Sequence, residues 1–570
     1  MTSVLVRLVL LACAGIVMQV GWITVWTLSY HLTHGEGFTF TYLETQPLAW
    51  EKLQELLLLA NVLAPGLELP GFQGPVSRDI IVDSLVFAFV VTGVGYLAAI
   101  MLVDLGISAV RGAVLVVVVF EAVFQVTLFL MPGTYTTDIF SYVMYGHISA
   151  VYDLNPYIFP PNYFPNNPLV DPQWIHPIWW DQPSVYGPLW TDIGWVMARL
   201  ATPVDGLVQT LDDGTVLQVG LMDQVFAYKL LMNVVQVINV ALVWWLLGRV
   251  MRGKPRARLA AFVLFAWNPL MLFDAAGNAH NDALVVTLLL LGVAPLVARP
   301  QKMPTNFGWL VGTFFVGLSA LIKYTTGIVG LFYILPWARR LPNWPARLRW
   351  IGGAGALIAI VTAVLYVPWF DFPRVFEPLL VAARGKTWMY TNWAPDLLAM
   401  AFSDRVLDPG GLDPDAAHEQ ARFWIKVVTR TIFLAYLGWE MVRLWRMAGD
   451  RDRSLVEPIL EASIRAFVVL ILLVLPWVLE WYWFWPLALV SLLGWRRMLT
   501  KVVVGYTLTS LPIFYVHHYW STSMPSELVL AYALPPLALP LVAWVYGRLT
   551  SRTQPKLSVN PVLRPGLGME

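Results

Sequence analysis

The segment TDIFSYVMYGHI at residues 137 to 148 places a carboxylate, Asp138, just after a long apolar run that ends near Met131. An acid beside a cavity at the water boundary has the position a general base needs. Its place after Thr136 and Thr137 also suits the first turn of a helix, where it would complement the dipole. Asp153 is a second candidate, in a turn context before Asn155-Pro156-Tyr157 that favours Asp for backbone reasons alone. His280, Asn281 and Asp282 stand together at the start of another apolar run, as a site or as a helix cap. Lys323 interrupts a third run, as a phosphate ligand or as a snorkelling cation. Arg384 and Lys386 lie near Trp388, Tyr390 and Trp393, a setting for a phosphate or for lipid headgroups. Glu480 breaks a fourth run beside Tyr482, and Tyr186 belongs to a second aromatic cluster at 174 to 195. Stacked rings make an interfacial belt or platforms for sugar faces. One histidine beside one aspartate is no metal set, and neither HExxH nor a Cys/His cluster occurs.

These residues have to be positioned by a membrane scaffold. Of the 570 residues, 58% are hydrophobic and 13% charged, and mean hydropathy is +0.64, so water is not the solvent for most of the surface. A net charge of +1 gives no pull toward nucleic acid. The single Cys13 excludes an internal disulfide framework, and the LLAC at 10 to 13 reads as part of a first membrane helix, not a lipoprotein cleavage box. With about 20 apolar residues per crossing, the expected spans are 4–29, 80–103, 113–131, 223–248, 258–273, 282–298, 307–322, 325–338, 351–369, 424–445, 464–479, 482–495, 502–516 and 530–547, about fourteen in all.

Two runs decide the topology. Residues 307 to 337 and 464 to 495 are each long for one crossing and short for two. Folding back near Lys323 and near Glu480 keeps the basic loops flanking each run on one side. Arg111, the segments 249–258, 299–302, 339–349, 443–453 and 496–501, and the tail after Arg548 then share a cytoplasmic face. The connections 274–281 and 517–529, on the other side, contain no Lys or Arg. Asp138, His280, Asp282, Lys323, Arg384, Lys386 and Glu480 consequently converge on the outer face, where ionisable groups at membrane depth read as functional. The chain is expected to be one all-α polytopic domain over 1–550, with outer loops at 132–222 and 370–423 and a disordered cytoplasmic tail at 551–570.

In order, TDIFSY, NPY, PSVYGPLW (183–190), WNPLMLFDAAGNAHNDAL (267–284), LSALIKYTTG (318–327) and LPWVLEWYWFWPLAL (475–489) resemble the polyprenol-phosphate-mannose-dependent alpha-mannosyltransferases of the class C glycosyltransferase fold. The nearest likeness is to the bacterial alpha-1,6-mannosyltransferases of lipoglycan synthesis, over about residues 130–490. The resemblance implies a bacterial plasma-membrane enzyme with a lipid-linked sugar donor, a glycan or glycolipid acceptor and inverting transfer. It implies a catalytic acid in the first large outer loop, matched by Asp138, and a site near His280, Asn281, Asp282 and Lys323. No organic cofactor is implied, and a divalent metal is compatible but not required. Glu480 among the late aromatics, and some 130 residues ahead of the Asp loop, depart from the pattern. From a different class, a secondary transporter or lipid flippase would carry repeats and midplane charges; here no repeat is found and the polar residues gather at one face.

Overall fold

The computed structural model describes residues 2–34, 78–104, 106, 110–131, 133–167, 169–170, 175, 179–201, 208–210, 216–218, 221–298, 304–376, 393–407, 413–475 and 478–520. Its architecture is helical. In chain order the main helices are α1 (Thr2–His34), α2 (Arg78–Asp104), α3 (Val110–Phe129), α4 (Asp138–Ala150), α5 (Pro188–Ala201), α6 (Leu221–Val250), α7 (Pro255–Ala266) and α8 (Asp282–Ala298). They continue with α9 (Asn306–Ala320), α10 (Ile328–Arg339), α11 (Trp344–Tyr366), α12 (Trp393–Phe402), α13 (Pro414–Met447), α14 (Val456–Leu473), α15 (Phe484–Leu493) and α16 (Met498–Trp520). A helix stands at each expected span up to 502–516; the span 530–547 and the tail lie outside the described residues. Five of these helices are individually long and apolar enough to cross a bilayer, which makes the chain an integral membrane protein. One small addition to the all-helical expectation is an antiparallel hairpin that pairs Val208–Thr210 with Val216–Gln218.

Both expected fold-back points are present. Between α9 and α10 the chain extends at Lys323 (φ −133°, ψ 107°) and makes one 3-10 turn, Tyr324–Gly327, before the next helix starts. Between α14 and α15 a 3-10 turn spans Glu480–Trp483. A third break differs from expectation, because the run 258–273 is not one straight helix. Pro269 has no N–H to donate and drives Asn268 out of helical geometry (ψ 122°), while the Asn268 side chain caps the new turn at the Met271 N–H. The chain continues through a wide π turn, Leu272–Gly277, bent 42° from α7.

Basic loops distant in sequence meet at one end of the bundle. Arg496 pairs with Asp104 at 3.1 Å, and Arg497 pairs with Glu457. Arg340 donates to the carbonyls of Asp450 and Arg453, and Arg339 and Arg347 both lie over Trp445. Helix α3 leaves this basic end at Val110 and, with 20 residues rising about 1.5 Å each, delivers the chain about 30 Å away, just before Asp138.

Candidate active site

The loop that carries Asp138 is tied to the segment following the π turn. The Tyr135 N–H donates to Asn278 Oδ1 at 2.8 Å, and the Asn278 amide donates to Asp274 Oδ1 (2.8 Å) and to the Tyr515 hydroxyl (3.0 Å). Ala279 follows in the left-handed region (φ 58°), a conformation that costs a non-glycine residue about 1–3 kcal/mol. The His280 N–H bonded to the Asp274 carbonyl at 3.0 Å holds this turn and aims the imidazole at Asp138. Thr136 Oγ1 meets His280 Nε2 at 3.1 Å, leaving Nδ1 3.7 Å from Asp138 Oδ2. Trp481 stacks on the imidazole with ring centroids 3.7 Å apart.

Asp138 opens onto a cavity of about 350 Å3 whose lining includes Ser141, Tyr145, Tyr186, Lys323, Tyr482 and Arg430. Its carboxylate keeps a quarter of its side chain exposed. Burial of the remainder pushes its pKa up to about 6; the Lys323 charge pulls it down and the Asp282 charge adds to the rise. The buried His280 is pushed well below the usual histidine range, first by loss of water and then by Lys323, so it stays neutral.

Across the cavity, Lys323 Nζ lies 2.6 Å from Asp282 Oδ2, and the other Asp282 oxygen accepts from the Trp485 indole at 2.8 Å. The ammonium sits over the Tyr482 and Trp485 rings, 5.0 and 6.0 Å from their centroids. Two backbone bonds from a distant segment help to place this lysine. Gly187 N donates to the Ile322 carbonyl at 2.9 Å and Leu189 N to the Leu321 carbonyl at 3.1 Å, so the segment 183–190 braces the fold-back turn. A Cβ at Gly187 would lie 2.1 Å from the Leu321 carbonyl oxygen, backbone that has no side chain to swing aside. Gly187→Ala is therefore expected to displace Lys323 and lower turnover on the order of 10²-fold with helix content unchanged in circular dichroism. A variant with full turnover would show that the turn does not need this brace.

The Asn155-Pro156-Tyr157 motif is also architectural. Asn155 donates to the Trp369 carbonyl at 2.7 Å, and the Tyr157 hydroxyl bonds to the Tyr186 carbonyl and Thr191 Oγ1, both at 2.9 Å.

Of the residues expected from sequence, Asp138, Tyr186, Lys323 and Tyr482 line the cavity. His280, Asn281, Asp282 and Glu480 are buried immediately behind it. The Asn281 amide makes no hydrogen bond among the described residues, and Glu480 lies beside Tyr515 and Asp274. Arg384 and Lys386 lie outside the described residues. Asp153 occupies a left-handed turn (φ 54°) and faces a different cavity with Asn155, Asp192 and Trp369. Asp138 stands in the first turn of α4 and also lines the cavity, so the helix-start position does not take it away from the site. Arg430 was not anticipated; a cation inside the apolar run 424–445 was the signal available for it. Among the described residues no group of three or more His, Cys, Asp or Glu side chains is placed to hold a metal.

Two family models match the chain. Alpha-(1->6)-mannopyranosyltransferase, N-terminal domain, matches residues 71–339, and glycosyltransferase family 87 matches residues 216–476. Together they include Asp138, His280, Asp282, Lys323 and Arg430. Alpha-(1->6)-mannopyranosyltransferase A of Mycobacterium tuberculosis is 24% identical over 68% of this chain and 67% of its own length. A probable alpha-(1->6)-mannopyranosyltransferase of Mycolicibacterium smegmatis is 22% identical over 65% of this chain and 63% of its own. Alpha-(1->6)-mannopyranosyltransferase B of Corynebacterium glutamicum is 22% identical over 64% and 56%, so the chain spans less than two thirds of the last two relatives. Among solved structures, the Archaeoglobus fulgidus oligosaccharyltransferase in complex with Zn and sulfate aligns with 75% of this chain and 52% of its own, at 13% identity and a TM-score of 0.34. On the family matches and the membrane-spanning helices that carry the site, the chain is a membrane mannosyltransferase, similar over these residues to the alpha-(1->6)-mannopyranosyltransferases.

Proposed function

We propose that this cavity transfers mannose from a polyprenyl-phosphate donor to a hydroxyl of a glycan or glycolipid acceptor, with inversion, on the extracytoplasmic face of a bacterial plasma membrane. The observation that carries this reading is a partly open carboxylate and a lysine ammonium lining one cavity of about 350 Å3. As the acceptor oxygen attacks the anomeric carbon, its proton passes to Asp138. The bond from that carbon to the phosphate oxygen breaks, and the lipid phosphate leaves with the electron pair. Charge builds on the sugar ring in an oxocarbenium-like state and on the departing phosphate, and Lys323 stands where it stabilises the latter. Neutral His280, 3.7 Å from Asp138, orients the base without competing for its proton. The sidedness rests on the cluster of basic loops at the end opposite the cavity, since positive loops stay cytoplasmic.

Reconstituted protein given a polyprenyl-phosphate-mannose and a mannoside acceptor is expected to form a new glycosidic bond, with linkage analysis fixing the anomer. Because a base works only when ionised, kcat/KM is expected to rise with pH through a midpoint near the Asp138 value of about 6 and to level off above it. A rate that stays flat from roughly pH 5 to 7.5 would contradict Asp138 as the proton acceptor.

A further inference from the structure

Four cations from three helices converge on another cavity, of about 590 Å3, at the basic end of the bundle. Arg111 stands in the first turn of α3, Arg252 and Lys254 in the turn that joins α6 to α7, and Arg258 in the first turn of α7. Val114, Trp244 and Met251 supply the apolar part of the lining, and no carboxylate belongs to it. Elsewhere at this end cations are matched, Arg496 and Arg497 by Asp104 and Glu457, Arg443 and Arg465 by Glu440. None of the four cavity cations forms an ion pair among the described residues. Lys254 also borders the neighbouring cavity, but the acids there are Asp104 and Glu457, already bound to Arg496 and Arg497.

The backbone and one stacked ring hold this arrangement in place. Gly253 takes a left-handed conformation (φ 71°) that suits glycine and turns the chain from α6 into α7. Arg258 folds back over α6, with its guanidinium 3.6 Å from the Trp244 ring centroid and its Nη2 donating to the Trp244 carbonyl at 2.9 Å. Gly248 leaves room for it, since a Cβ there would lie 3.0 Å from the same guanidinium. The Arg258 Nε is buried without a hydrogen-bond partner among the described residues. Helix α7 adds positive partial charge at its start, because Lys254 at the cap position supplies no side-chain acceptor and the first turn holds no acid. Like charges gathered around one cavity repel, and an anion with several acceptor oxygens relieves that repulsion.

We infer that Arg111, Arg252, Lys254 and Arg258 bind the phosphate headgroup of an anionic phospholipid in the leaflet at the basic end. The chemistry recognised is a phosphate, and the surroundings favour a lipid as its source. Leu115, Val118, Trp245 and Val250 are exposed on the flanking turns of α3 and α6, where acyl chains run. The length of α3, about 30 Å, separates this cavity from Asp138, so the bound lipid is not the sugar donor. A headgroup held there ties the start of α3 to the turn between α6 and α7. The site is independent of the transfer chemistry.

The test titrates full-length protein in detergent with phosphatidylglycerol and, separately, with phosphatidylcholine, and reads the lipid retained by native mass spectrometry. The Arg111→Gln/Arg252→Gln variant is expected to weaken phosphatidylglycerol binding about tenfold, with phosphatidylcholine retention and helix content unchanged. Both residues are exposed, so the fold does not lean on their side chains. The Arg111→Lys/Arg252→Lys variant, which keeps the charge, should bind more tightly than the Gln pair. Arg347→Gln/Arg349→Gln removes two charges from another basic loop and should leave the affinity as it is. Equal losses in the two Gln variants would reveal a general attraction to surface charge and overturn the site. Unchanged phosphatidylglycerol retention in Arg111→Gln/Arg252→Gln would overturn it as well. Displacement of the lipid by an equal concentration of inorganic phosphate would assign the cavity to a soluble anion and overturn the lipid as its occupant.

Discussion

Asp138→Asn is expected to reduce mannosyl transfer by about 10²–10⁴-fold, the range a positioned general base supplies, without loss of folded protein. The two halves of that expectation have separate causes. The amide keeps the shape of the carboxylate but has no lone pair basic enough to take the acceptor proton. Stability should hold or rise, because burial lifts the Asp138 pKa above its ordinary value. With that sign the folded state binds the proton more tightly than the unfolded chain does. Ionisation of Asp138 thus costs stability as pH rises through the interval from the ordinary value to about 6, and at neutral pH a neutral side chain relieves that cost. Turnover and thermal midpoint should therefore part company in this variant. A fall in both together would point to a structural role, and unchanged turnover would remove Asp138 from the mechanism.

The second large effect concerns the Lys323–Asp282 pair. Asp282 has no exposed surface and spends both oxygens on Lys323 and Trp485. Truncation to Asp282→Ala leaves a mostly buried ammonium and an indole N–H without their acceptor, and breaking a pair of this kind costs about 3–5 kcal/mol. Lys323→Met is expected to lower turnover on the order of 10²-fold, through loss of charge stabilisation on the departing phosphate. Combining Asp282→Leu with Lys323→Met should recover much of the thermal stability, since two apolar groups of similar volume need no counter-charge. It should not recover turnover. Thermal melts in detergent beside transfer assays in vesicles measure both, and an active double variant would show that the lysine is structural.

Much of the scaffold was legible because membrane insertion is a local property. A lysine within 307–337 and a glutamate within 464–495 mark the two places where an apolar run has to fold back, and a short 3-10 turn stands at each. The kink at Asn268 was not anticipated although the Asn-Pro pair that causes it was visible, because hydropathy is blind to a lost backbone donor. Arg430 escaped notice for the opposite reason. In sequence it is one cation in an ordinary span, and it acquires meaning only from the cavity it faces.

The PSVYGPLW and NPY motifs show how far motif reading goes. Their residue types are suited to sugar contact, yet Gly187 and Tyr157 work mainly as braces for the Lys323 turn and for the Tyr186 backbone. By itself the sequence determined which segments are apolar enough to enter a bilayer, which loops are basic, and which ionisable residues would be costly there. Each residue carries its own transfer free energy and its own charge, whatever its neighbours. Only the tertiary structure decided that Asp138, Lys323 and Trp485 line one cavity with His280 buried beside Asp138, and that Asp282 is the partner of Lys323. Those assignments depend on helix packing and on a handful of backbone bonds between segments far apart in the chain, energies that belong to pairs of residues and leave no mark on either one alone.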